Sequence, residues 1–168
     1  MLRISQVGSD SEIAAAGELI REYTAWATSL QASSFAAPPF KDLESELATL
    51  PGIYGPPSGR LLLAMWDEQP AGCVAFFAHD PQTCELRRLY VRPDFRGCGI
   101  GTELVRTLLQ HAYQASFERI VLDSHIAMTD AHALYKALGF REMEAPENFP
   151  EIYLPYVLFM ECELINRS

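Results

Sequence analysis

Apolar and polar residues alternate over residues 2–7, which predicts a first β-strand. Just beyond it, Ser9 and Glu12 have the spacing of a capping box, in which each side chain satisfies an amide of the first helical turn. Ile13, Ala16, Ile20, Tyr23, Ala27 and Leu30 then recur at helical spacing, so the pattern predicts a long amphipathic helix over residues 11–30. A shorter helix is predicted over 41–50. Pro51, Gly52, Gly55, Pro56, Pro57 and Gly59 break the periodicity into a loop. Residues 60–66 and 71–79 read as strands on either side of Asp67-Glu68-Gln69-Pro70, which predicts an antiparallel hairpin.

The strand predicted over 84–91 breaks its own alternation. Leu86 and Leu89 lie three apart with Arg87 and Arg88 between them. Burying both leucines on one face requires one extra residue, and a β-bulge absorbs it. Pro93 ends this strand. The turn Arg96-Gly97-Cys98-Gly99-Ile100-Gly101 then opens a helix with the apolar face Ile100, Leu104, Val105, Leu108, Leu109 and Ala112. A short apolar strand follows over 119–123, then a helix over 129–138. Gly139 and Phe140 give that helix a Schellman-type end. Strands over 140–144 and 157–164 complete the order β, α, α, β, β, β, α, β, α, β, β. No repeat or linker interrupts it, and the 168 residues fit one domain over 1–168.

Composition narrows the function classes. A net charge of −9 is the wrong sign for non-specific nucleic-acid binding, which needs a Lys/Arg surface, and it would attract a cationic ligand. Cys73, Cys84, Cys98 and Cys162 show no CxxC spacing and no zinc-type Cys/His cluster, so no metal is expected. The first ten residues lack the apolar segment of a signal peptide, and no apolar run reaches membrane-spanning length. The expectation is a reduced, cytoplasmic, soluble protein without a nucleic-acid or membrane partner.

A strand that ends in a glycine-rich turn and restarts as a helix makes an anion site. The first helical amides have no internal acceptor, and the helix dipole adds positive charge there. Glycines let a phosphate approach the backbone, and Arg96 adds a guanidinium, so the expected guest is a pyrophosphate. The alternative is a tight turn with no ligand, but three alternate glycines cost helix stability, about 1 kcal/mol each relative to alanine. A Walker A loop is excluded, because no Gly-Lys-Ser/Thr follows. A dinucleotide fingerprint lacks its third glycine, where Thr102 stands, and its turn would follow an antiparallel hairpin.

Residues 89–101, Leu-Tyr-Val-Arg-Pro-Asp-Phe-Arg-Gly-Cys-Gly-Ile-Gly, closely resemble the acetyl-CoA-binding signature of the GNAT superfamily of N-acetyltransferases. Arg96, Gly99 and Gly101 match its core, Arg/Gln-x-x-Gly-x-Gly/Ala. Ala131, Leu134, Tyr135, Gly139 and Phe140 match a second signature, Ala-x-x-Leu-Tyr-x-x-x-Gly-Phe. The resemblance implies an α/β (α+β) fold: a mixed, mainly antiparallel sheet with a splayed parallel strand pair, flanked by helices. It implies acetyl-CoA as co-substrate, with its pantetheine arm in the splay between residues 84–91 and 119–123. Leu89, Tyr90 and Val91 would supply main-chain contacts, and Arg96, Gly97, Cys98, Gly99, Ile100, Gly101 and Thr102 would hold the pyrophosphate. Met128 departs from the pattern, since many members carry an asparagine there that helps to hold the cofactor.

The same resemblance supplies catalytic candidates. Tyr135 corresponds to the family's general acid, although its helical position beside Leu134 and Leu138 also suits a core aromatic. Glu85 stands where some members place a base acting through water; the other reading is a strand residue paired with Arg87 or Arg88. His125 follows the second splayed strand and is a base candidate, or a solvated loop residue. His79, His111 and His132 read as surface residues, Cys98 as a small filler, and Asp123 as a strand-end cap. By family analogy the amine acceptor would lie near Phe35, Phe40, Tyr54, Phe149, Tyr153 and Tyr156, and these residues suit packing equally. The leading function is transfer of acetyl from acetyl-CoA to a primary amine of a small molecule or peptide, by direct attack in a ternary complex. A non-catalytic acyl-CoA-binding or sensory domain is the alternative. An apolar final strand over 157–164 would give a possible homodimer a pairing edge.

Overall fold

The computed structural model describes residues 1–31 and 42–165, apart from the side chain of Gln31. Seven strands form one sheet: β1 (Leu2–Gln6), β2 (Arg60–Trp66), β3 (Gln69–Ala78), β4 (Thr83–Val91), β5 (Arg119–His125), β6 (Arg141–Met143) and β7 (Val157–Glu163), in the order β1-β2-β3-β4-β5-β7-β6. Every neighbouring pair is antiparallel except β4–β5. The helices are α1 (Asp10–Gln31), α2 (Leu43–Ala48), α3 (Ile100–Gln114) and α4 (Thr129–Ala137). Among the described residues no helix is long and apolar enough to cross a membrane.

Both sheet faces are covered, which is why β2 and β3 read as continuous apolar runs. Leu62, Ala64, Val74 and Phe76 pack against α3, whose buried face is the six residues its periodicity predicts. Leu61, Leu63, Cys73 and Ala75 face the other way, onto Ala16, Leu19 and Ile20 of α1. The capping box before α1 forms: Ser9 Oγ accepts from the Glu12 amide at 3.2 Å, and Glu12 Oε2 accepts from the Ser9 amide at 3.1 Å. Asp67 and Glu68 alone make the β2–β3 turn, both at positive φ (46° and 66°), so the hairpin is two residues tighter than the sequence suggests. After α4, the Phe140 amide donates to the Tyr135 carbonyl and that of Gly139 to Lys136, a Schellman closure.

The bulge in β4 falls at Arg88, whose φ is +63°. Cys73 pairs with Tyr90 and Ala75 with Arg87, so Arg88 and Leu89 oppose the single residue Val74. Leu86 and Leu89 thereby reach the same core. Three readings need correction. β7 lies between β5 and β6, so it offers no sheet edge for pairing with a second copy. Asp123 sits within β5, in register with Phe159, and is not a strand-end cap. His132 is buried, 8% exposed, rather than a surface residue, because α4 turns that face onto β5.

Candidate active site

β4 and β5 pair only through Thr83–Arg119, Cys84–Ile120 and Glu85–Val121; beyond those three positions they part. A cleft of about 880 Å³ occupies the gap, lined by residues from Leu86 to Val91 on one strand and from Asp123 to His125 on the other. One end is the glycine turn. Gly97 and Gly99 hold φ of +82° and +79°, conformations that a Cβ strains, although the space around both is open. They are there for the backbone path, which starts α3 where Gly99, Ile100, Gly101 and Thr102 line the cleft. Arg96 stands at the mouth. Its Nε donates to the Val91 carbonyl at 2.9 Å, and its guanidinium lies 5.5 Å from the Trp26 ring centroid and 5.8 Å from that of Tyr90. Cys98 is exposed and is not part of the lining.

The other end is set by α4. Tyr135 lines the cleft but is only 5% exposed, and burial pushes its phenol well above the ordinary range, so it stays protonated at neutral pH. Met128 precedes α4, is buried, and its sulfur meets Ser124 Oγ at 3.6 Å.

A family model described as the Acetyltransferase (GNAT) family matches residues 18–140. The chain belongs to the GNAT acetyltransferase family. It is 36% identical over 127 residues to an N-acetyltransferase of Schizosaccharomyces pombe, 74% of this chain and 76% of that protein. Over 109 residues it is 35% identical to the N-acetylaspartate synthetase of Homo sapiens, 64% of this chain but 36% of the human protein; the match spans about a third of that relative. The structure of PaiA N-acetyltransferase from Thermoplasma acidophilum, in complex with coenzyme A, superposes with a TM-score of 0.69 at 17% identity, covering 97% of this chain and 99% of that one. That likeness concerns the fold. This GNAT chain is an acetyl-CoA-dependent acyltransferase, and the glycine turn, Arg96 and the open edge of β4 are a donor set that suits a pyrophosphate with an amide-bearing arm.

The remaining expected residues separate. Glu85 lies in β4 but outside the cleft lining; its carboxylate accepts from Arg87 Nε at 2.6 Å and bonds His79 Nε2 at 2.9 Å. Its pairing is thus with Arg87, not Arg88. His125 does line the cleft, 6% exposed, and its Nδ1 accepts from the Ala127 amide at 3.0 Å. Burial lowers its pKa, so the ring is neutral near pH 7, and that backbone bond puts its proton on Nε2. Phe149 and Tyr153 line the cleft; Tyr54 is fully buried outside it, and Tyr156 is not in the lining. Phe35 and Phe40 lie outside the described residues.

The sequence did not single out Tyr23, Trp26, Glu46 and Arg88 as lining residues. Arg88 donates to Glu46 from Nε (3.0 Å) and Nη2 (2.9 Å), and Tyr54 OH donates to the same carboxylate at 3.0 Å. The broken alternation in β4 marks Arg88 as unusual, but nothing local points to a partner 42 residues away.

Proposed function

We propose that this GNAT chain transfers the acetyl group of acetyl-CoA to a primary amine of a small molecule or peptide, by direct attack in a ternary complex. The observation that carries the reading is the continuity of one cleft from the positive-φ glycine turn, along the unpaired part of β4, to the buried phenol of Tyr135. Residues Arg96 to Thr102 would hold the pyrophosphate, and Leu89, Tyr90 and Val91 the pantetheine arm. In the chemical step a neutral amine attacks the thioester carbon, the new C–N bond forms, and the C–S bond breaks. Tyr135 gives its proton to the departing thiolate, a role that a phenol kept neutral by burial suits. Glu85 takes the amine's proton through a water, since it stands behind the cleft wall. His125, expected as a base, has Nδ1 occupied by the Ala127 amide and its proton on Nε2, so it serves as a donor instead. The N-acetylaspartate synthetase relatives bring amino acids into the range of acceptors worth testing.

Calorimetric titration with acetyl-CoA, beside release of the CoA thiol in an amine panel, tests this reading. Tyr135→Phe is expected to bind acetyl-CoA as the parent does and to lose roughly 10²- to 10⁴-fold in turnover. Unchanged turnover would remove Tyr135 from the mechanism; no acetyl-CoA binding by folded protein would overturn the function.

A further inference from the structure

The charged groups on the acceptor side of the cleft are unequally paired. Arg88 is paired with Glu46, and Arg87 with Glu85. Each guanidinium at this wall already has its carboxylate. Asp123 lines the cleft, is exposed to it, and makes no ion pair among the described residues; Asp130, which also lines the cleft without an ion pair among them, stands apart in the first turn of α4. The groups in electrostatic reach are Glu85, Arg87 and Arg88 from β4, His79 beyond β3, and the Tyr23 phenol from α1. Although it opens onto the cleft, the surrounding walls desolvate the Asp123 carboxyl and push its pKa upward, with Glu85 adding to the shift.

The surface beside Asp123 is aromatic. Its partner across β5 and β7 is Phe159, and directly opposed residues of paired strands share a face. Phe149 packs edge-on against Phe159 at 4.9 Å and meets Tyr153 at 6.3 Å, and both Phe149 and Tyr153 line the cleft. An anionic seat thus adjoins an apolar ledge, and the two described guanidinium groups in its electrostatic reach, Arg87 and Arg88, are already paired.

We infer that Asp123 seats the ammonium of the acceptor, and that the acceptor is an amine with an apolar or aromatic body and no carboxylate next to its nitrogen. The inference rests on the acetyltransferase reading and narrows its substrate class. It sets this chain apart from a synthetase for N-acetylaspartate, whose amino-acid acceptor would bring carboxylates to a wall where Arg87 and Arg88 are already paired and Asp123 is itself a carboxylate. Like charges about 6 Å apart in a partly buried site weaken binding by about a hundredfold.

A matched pair tests it, because 2-phenylethylamine and L-phenylalanine differ only in the α-carboxylate. Thiol release at saturating acetyl-CoA is measured for both and for L-aspartate, and binding of each to the CoA complex is followed by calorimetry. The expected result is a preference for 2-phenylethylamine of about a hundredfold, lost in Asp123→Asn while acetyl-CoA affinity stays at the parent value. Equal or better use of L-phenylalanine or L-aspartate overturns the inference. So does a CoA complex that neither binds nor acetylates 2-phenylethylamine at millimolar concentration, or an Asp123→Asn variant with unchanged preference. Failure of acetyl-CoA itself to bind would instead sink the acetyltransferase reading beneath it.

Discussion

The two ends of the cleft are built in different ways. The glycine turn is one contiguous stretch, residues 96–102, and it works through backbone: positive φ at Gly97 and Gly99, and helix amides behind them. The other end draws Tyr23 from α1, Glu46 from α2, Arg88 from β4, Asp123 from β5, and Phe149 and Tyr153 from the segment before β7. It works through side chains that meet only after the sheet has formed. A backbone-made site carries its own local signature; a side-chain-made site inherits its geometry from the whole fold.

The comparison breaks most forcefully at Glu46. Truncation to alanine strips Arg88 of two charge-assisted bonds at a position only 9% exposed, and is expected to cost about 3 kcal/mol. Thermal unfolding should fall by roughly 10 °C. If the two ends are independent, acetyl-CoA affinity of the folded variant stays at the parent value, and Glu46→Leu with Arg88→Met recovers part of the loss. A large drop in acetyl-CoA affinity would show the ends to be coupled.

The reverse experiment is Gly99→Val. A β-branched residue at φ +79° strains the backbone by about 1–2 kcal/mol, and the space around Gly99 is open, so the strain falls on the turn rather than on packing. About tenfold weaker acetyl-CoA binding is expected, with no change in the acceptor preference that the matched amine pair reads. Unaltered affinity in the titration would mean that the turn does not contact the cofactor.

The smallest effect sharpens the comparison through pH. His132 lies beneath the cleft, its Nε2 bonded to Ser124 Oγ at 3.0 Å, and burial lowers its pKa, as it lowers that of His125. The unfolded chain therefore binds protons first as pH falls below about 6.5, and stability present above that pH is lost as pH drops toward the folded pKa values. The urea midpoint should decline between about pH 7.5 and about pH 5.5, less steeply in His132→Asn. Identical slopes in the two proteins would exclude His132 as a contributor.

Local readings held wherever one segment contained the whole cause. The capping box at Ser9 and Glu12, the apolar face of α3, the Schellman end at Gly139 and the bulge implied by Leu86 and Leu89 were each legible, because neighbouring residues alone decide them. The edge argument for β7 failed for the opposite reason. Strand order is set by which apolar faces meet, and β6, only three residues long, covers the side of β7 that the sequence left open.

By itself, then, the sequence determined most of the elements, the glycine turn before α3 and the place of Tyr135 in its helix, since propensity, periodicity and backbone conformation act over a few residues. Tertiary structure decided the charge pairing. Arg88 finds Glu46 and Arg87 finds Glu85 only once α2 and β4 are packed, and that pairing leaves Asp123 in the cleft lining without an ion pair among the described residues. Electrostatic balance is a sum over everything within a few ångströms, and the residues that enter that sum are brought together by the fold.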